Sequence, residues 1–242
     1  MRGFGALLHR DLRVIYRDGF LVTMTAYSLV IAVASRLIVQ RIPVDHIELY
    51  VAPFIILMAT VLIGTVFGFA LIEERETRTA LLLRVLPLRP ATLTTYWTVG
   101  VGGFCLVICL ASAVVYGLRP ANLPAFLFLT TVTALGAPVV MLLLGAIAST
   151  KIEGIAISKI IGGSSMLLAA VFVLPPKWHV GLIWYPWYWL YVGLLEAYAG
   201  PEVAGSLAVR PPALPLWAFA IVPLGMSLWG VVVLVRRYRQ VV

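Results

Sequence analysis

The sequence predicts an all-α integral membrane protein with six transmembrane helices, and three observations carry that prediction. The 242 residues are 62% hydrophobic and only 12% charged, with a mean hydropathy of +1.03, far from the composition of a soluble globular domain. Six apolar stretches, 20–40, 51–72, 96–117, 124–148, 156–175 and 214–235, each reach the roughly 20 residues a helix needs to cross about 30 Å of hydrocarbon. These runs are continuous rather than alternating, which favours helices over a closed barrel, the other fold that satisfies backbone polar groups in lipid. Residues 1–242 are read as a single transmembrane domain, with no internal repeat and no loop long enough to hide a soluble one.

Charge sets the orientation, because loops beside spans retain Lys and Arg on the cytoplasmic side. With both termini cytoplasmic, thirteen of the eighteen basic residues fall inside, among them Arg75, Arg78, Lys151 and Arg237, and five outside, among them Arg36, Arg119 and Lys177. The net charge of +8 is therefore topological, and no nucleic acid partner is implied.

Ahead of span one, residues 1–18 place Phe4, Leu7, Leu8, Leu12 and Ile15 on one side of a helix and Arg2, His9, Arg10, Arg13 and Arg17 on the other. Such a cationic amphipathic helix lies in the interface beside anionic lipid headgroups, either as an anchor or as a lever tied to a moving partner. Ala32-Val33-Ala34 imitates a signal-peptidase site. Asp11 and Asp18 upstream, and the apolar residues Leu37, Ile38 and Val39 beyond it, argue against cleavage.

Span two carries Gly64 and Gly68, a spacing that lets helices approach closely, with packing as the default reading. It ends in a run of opposite charges, Glu73, Glu74, Arg75, Glu76 and Arg78, where a Glu74 to Arg78 pair at i, i+4 lets the helix continue into water. The apolar ridge of Ala80, Leu81, Leu82, Leu83, Val85 and Leu86 is too short to span, Pro87 stops it, and Pro90 fits the first turn of the next helix. Residues 74–88 thus form a helical elbow at the cytoplasmic surface. An exposed Leu ridge beside a charged shoulder suits docking of a soluble protein, whereas a plain tie between two spans is the bland alternative.

In span three, Cys105 and Cys109 share a face and are read as packing. Pro138 is expected to kink span four. A short basic loop, residues 149–163, joins spans four and five, with Lys159 within about a turn of the start of span five. Residues 176–213 hold a dense aromatic group, including Trp184, Tyr185, Trp187, Tyr188, Trp189 and Tyr191. The helical part is too short to cross, so a re-entrant or interfacial hairpin is expected on the outer side. It reads either as a headgroup-level aromatic belt or as an outer lid over a substrate path, with Trp184, Tyr185, Trp187 and Trp189 in that role.

Missing chemistry narrows the function. There is no G-x-x-x-x-G-K-[ST] phosphate loop, no H-E-x-x-H and no G-x-S-x-G, and His9, His46 and His179 are scattered, so no catalytic, cofactor or metal residue is assigned. Charges are expected at span ends rather than at membrane depth, which argues against proton coupling. An enzyme built on Glu196, His179 and Glu202 of the outer loop is the weakest alternative.

Glu74, Arg75, Glu76, Thr79, Leu83, Pro87 and Leu88 match in order a motif found after the second span in a family that this chain resembles, the type-2 permeases of ATP-binding cassette transporters. Arg78 departs from it, standing where the family more often has Gly. The length and the Lys151 loop also look like a subgroup of bacterial drug exporters that includes fluoroquinolone-type efflux permeases. The resemblance implies a multi-pass protein of a prokaryotic cytoplasmic membrane that works as a dimer with a second copy or a paralogue. It also implies that cytoplasmic ATPase subunits hold the ATP and Mg, leaving this chain without a cofactor. On that picture 74–88 is a coupling helix, with Glu74, Arg75, Glu76, Arg78, Leu82, Leu83, Leu86 and Pro87 meeting the ATPase, and Lys151 and Glu153 forming a second, smaller contact.

Shifting an access equilibrium from 1:99 to 99:1 takes roughly 5.5 kcal/mol of differential binding, more than a small knob supplies, so the N-terminal helix is expected to help. The cargo is expected to be amphiphilic, lipid-like or a drug, because so few charges line the spans. The alternative is a membrane scaffold or assembly factor that recruits a cytoplasmic partner without transport.

Overall fold

The computed structural model describes residues 19–42, 47–77, 96–169, 174–182, 185–202 and 218–241. Among them every regular element is a helix: α1 (Gly19–Val39), α2 (Ile47–Glu76), a π-helical turn (Tyr96–Val101) leading into α3 (Gly102–Tyr116), α4 (Leu123–Ala134), α5 (Gly136–Ile147), α6 (Lys151–Met166), α7 (Pro186–Ala199) and α8 (Ala218–Val241). Short 3-10 segments, Leu167–Ala169 and Pro176–Leu182, lie between α6 and α7. Four stretches are long and apolar enough to cross a membrane, Ile47–Glu76, Thr98–Tyr116, Leu123–Ile147 and Lys151–Ala169, while Ala26–Val39 and Pro223–Leu234 are shorter apolar helical stretches. The chain is therefore a membrane protein. The N-terminal helix expected at 1–18 and most of the elbow, from Arg78 onward, lie outside the described residues.

The longest element, α2, has 30 residues and about 45 Å of length, so its charged end extends beyond the thickness of a hydrocarbon core. It is also the centre of the fold, packing on α1, α3, α5, α6 and α7 and most extensively on α5. That contact rests on two absent side chains. A Cβ on Gly64 would lie 2.7 Å from the Ala137 carbonyl oxygen and from Val140 Cβ, and one on Gly68 would lie 2.7 Å from Leu144. One turn before Gly64, where its methyl faces Gly136 of α5, Thr60 turns its hydroxyl toward α3: Oγ1 donates to the Ile56 carbonyl at 3.1 Å and sits 3.5 Å from Cys109 Sγ, which is 3.8 Å from Cys105 Sγ. Both thiols are buried and free, and the rings of Phe67 and Phe104 meet edge to face nearby.

Pro138 disturbs its span three residues earlier than its own position. Lacking an N–H, it cannot pair with the carbonyl of Ala134, and its ring crowds that group. Accordingly α4 ends at Ala134, Leu135 takes a turn conformation, and α5 starts at Gly136.

At the far end, Asn122 caps α4, its Oδ1 accepting from the Ala125 N–H at 3.1 Å. Gly117 ends α3 with φ 85°, a conformation that favours glycine. The Arg36 side chain lies where a Cβ on Gly117 would point and donates to the Val115 carbonyl at 3.0 Å.

Three expectations are corrected. The basic loop shrinks to Ala148–Thr150, because Thr150 and Glu153 cap a helix that starts at Lys151 rather than near 156. Lys159 consequently stands two turns into α6, not at its start. Third, part of the aromatic segment lies inside the fold: on α7, Tyr188 and Tyr191 are fully buried and Glu196, expected in an outer loop, is only 4% exposed.

These burials follow from the path of α7. Its 14 residues cover about 21 Å. It begins with Trp187 against Gly136, midway along the α4–α5 span, and ends where Ala121 and Asn122 donate their N–H groups to the carbonyls of Tyr198 and Ala197. Its flank is sealed against α2, α4 and α8, and Tyr191 Oη donates to the Tyr50 carbonyl at 3.0 Å.

Substituting Gly64→Val is expected to cost about 2 kcal/mol or more through overpacking against backbone. Gly103→Ala, where a Cβ meets nothing within 4 Å, should change stability by less than about 0.5 kcal/mol. Thermal unfolding of the purified variants in detergent checks both.

Candidate functional site at the charged end of α2

Where α2 ends, its charged side chains turn toward the α5–α6 connection. A helix leaves its last carbonyls without intrahelical partners, and Arg75 supplies them for α5: Nη1 donates to the Ala148 carbonyl at 3.0 Å and Nη2 to that of Gly145. A half-buried cation at a helix C-terminus is also placed favourably for the helix dipole. The first N–H groups of α6 face the complementary problem. Glu76 Oε1 accepts from the Lys151 N–H at 2.8 Å, Thr150 Oγ1 accepts from the Glu153 N–H at 3.3 Å, and Glu153 Oε2 accepts from the Ser149 N–H at 2.7 Å. An ion pair, Lys151 Nζ to Glu73 Oε2 at 3.4 Å, closes the set.

The result is a latch: one helix end holds the C-terminus of α5 and the N-terminus of α6 together. Arg75 contributes most to it, since charge-assisted hydrogen bonds to half-buried carbonyls exceed an ion pair whose side chains are both about half exposed. Close to the latch, a Cβ on Gly154 would meet Ile72 at 2.7 Å, so the first turn of α6 lies directly on the last apolar turn of α2.

Of the residues assigned to coupling, the structure brings together Arg75, Glu76, Lys151 and Glu153, with Glu74 on the same helical turn. Arg78, Leu82, Leu83, Leu86 and Pro87 lie outside the described residues, as does Trp184. Tyr185 and Trp187, for which a lid is one of two readings, line a partly open cavity, while Trp189 packs edge to face on Tyr188 with centroids 6.3 Å apart. Sequence reasoning missed Glu73 and Thr150. A capping box, Thr150 followed by Glu153 three residues later, is visible in the sequence and marks the start of α6.

The latch joins the two helices that form one side of that cavity, a space of about 490 Å³ between α5, α6, α7 and α8. Replacing Arg75→Met is expected to destabilise the latch by about 2 kcal/mol, and Lys151→Met by less than about 1 kcal/mol. Hydrogen–deuterium exchange at the amides of 149–153 should accelerate strongly in the first variant and little in the second; equal acceleration would contradict the ranking.

A family described as "Fluoroquinolones export permease protein Rv2686c-like" matches residues 11–222. Two curated relatives from Mycobacterium tuberculosis, the fluoroquinolones export permease proteins MT2760 (strain CDC 1551 / Oshkosh) and Rv2686c (strain ATCC 25618 / H37Rv), are each 25% identical over 204 residues, covering 78% of this chain and 80% of theirs. The drug-exporter subgroup of type-2 permeases, to which the motif at the end of α2 and the Lys151 region pointed, is the group these matches fall in. The chain therefore belongs to the Rv2686c-like family of export permeases.

Proposed function

We propose that this chain is the membrane subunit of an ATP-driven exporter, a permease whose fuel is hydrolysed on separate cytoplasmic ATPase subunits that carry the ATP and Mg. In this reading α1 and α8 complete six spans, both termini are cytoplasmic, and the latch end of α2 faces the cytoplasm. The elbow at 74–88 is the coupling helix, with Leu82, Leu83 and Leu86 as apolar knobs, and a second permease copy or paralogue completes the path. The cargo is an amphiphilic molecule or drug, supported by the relatives' description as fluoroquinolones export permeases and by a cavity with no charged lining residue among those described.

The observation that carries the proposal is the latch. The helix leading into the elbow is the same one that grips the α5–α6 connection through Arg75 and Glu76 and packs along α5 through Gly64 and Gly68. A push on the elbow therefore travels along a rigid rod to α5 and α6, two walls of the cavity. Coupling needs such a contiguous element that both ends can bias. Glu153 and Lys151 act in this scheme as the anchor points of α6, and α7 with Tyr185 and Trp187 closes the outer side.

Two variants separate docking from transmission. Leu82→Asp with Leu83→Asp should abolish pull-down of the cognate ATPase while the permease stays folded. Arg75→Met should keep the ATPase bound yet lower ATP-dependent drug export by about tenfold, a loss of roughly 1.4 kcal/mol of coupling. Full ATPase association in the double Asp variant would overturn the elbow assignment.

A further inference from the structure

The cavity between α5, α6, α7 and α8 has a chemistry of its own, and the geometry points to it as a binding site for an uncharged, planar aromatic amphiphile that carries an N–H or O–H donor. That it loads cargo rests on the export reading above; that it binds such a molecule does not. Its volume of about 490 Å³ falls in the range of pockets that enclose drug-sized ligands. Every lining residue among those described is uncharged, so an ionised ligand would lose its hydration without gaining a partner from them. Two indoles and a phenol stand in the walls: Tyr185 and Trp187 at the start of α7 and Trp229 on α8. Trp187 is fixed with the edge of its six-membered ring against Gly136, and Trp229, 70% exposed, stands at the mouth. Flat aromatic faces favour a flat ligand through offset or edge-to-face stacking.

Polarity in the cavity is concentrated on one side. Ser164 and Ser165 both donate to the same carbonyl, that of Ile161, at 2.7 and 3.0 Å. With their protons committed, the two oxygens present lone pairs. Tyr185 Oη lies 3.5 Å from Ser164 Oγ. This patch is thus biased toward accepting hydrogen bonds, which selects a ligand with a donor over a hydrocarbon of the same shape. A phospholipid acyl chain would satisfy the apolar walls but none of these oxygens, so the patch favours the aromatic amphiphile over lipid.

The full chain in phosphatidylcholine nanodiscs, without any ATPase, tests the site with two neutral fluorescent probes, each corrected for empty nanodiscs. N-phenyl-1-naphthylamine has one N–H donor and diphenylhexatriene has none. Saturable binding of the first is expected. Ser227→Phe, which fills the cavity from a half-exposed position on α8, should weaken it at least about tenfold. Ser164→Ala with Ser165→Ala should weaken the amine about fivefold and leave the hydrocarbon unchanged. Val114→Phe, at a 77% exposed site on α3 outside the cavity, should leave both unchanged.

Undiminished amine binding in Ser227→Phe would overturn the proposal, as would equal losses for both probes in the double serine variant. A third contrary result is tryptophan quenching by brominated-chain phosphatidylcholine that the amine fails to relieve, which would make the cavity a lipid groove. Because no ATPase is present, failure here leaves the coupling reading standing, and failed ATPase docking leaves this site standing.

Discussion

The packing of α2 on α5 is the constraint on which the rest of the structure depends. Membrane helices gain little from hydrophobic burial against one another and associate through close van der Waals contact instead. Gly64 and Gly68 provide it by letting Val140 and Leu144 reach the backbone of α2, at separations no side chain there would permit. With α2 and α5 so joined, the break at Leu135, the seat of Trp187 against Gly136 and the position of the cavity wall all acquire a fixed reference.

Onto this rigid pair the charged end of α2 adds an attachment for α6. Apart from Gly154, Ser165 and, in the 3-10 turn that follows it, Leu168, the helical stretch Lys151–Ala169 is largely exposed, with Ile152 at 81% and Ile160 at 71%. It is therefore held chiefly at its foot, by Arg75 on the Ala148 carbonyl just before it, by Glu76, by the Lys151–Glu73 ion pair and by its own N-terminal cap. An element anchored at one end and lightly packed along its length is the one most free to change its angle. Of the two helices on that side of the cavity, α5 is thus packed closely on α2 and α6 is the more lightly packed.

Much of this was legible in the sequence, and the gaps have physical causes. Helices appear near the positions expected for spans two to four because continuous apolar runs report length directly, as in 96–117 against Thr98–Tyr116. The start of α6 was misplaced because hydropathy marks where residues are greasy, whereas Thr150 and Glu153 decide where a helix begins. Gly64 and Gly68 were visible as a spacing, but their weight depends on the shape of α5, which no local pattern contains. Aromatic composition alone does not separate Tyr188 and Tyr191, which are buried, from residues at a headgroup belt. In the E-R-E run, the charges are plain in the sequence, yet whether Arg75 faces a partner or the carbonyls of Gly145 and Ala148 is a tertiary fact. The apolar half of that motif, Leu82 to Pro87, lies outside the described residues.

In the proposed function, the end of α2 carries movement from the elbow into α6 and the cavity. Spin labels on cysteines introduced at Ile160 of α6 and Trp229 of α8, both well exposed, report the width of the cavity mouth, and the native Cys105 and Cys109 are too buried to label. In a complex with the proposed ATPase, trapping nucleotide should shift the interlabel distance, and Arg75→Met should abolish the shift while ATPase binding persists. A nucleotide-dependent shift that survives intact in Arg75→Met would contradict the account.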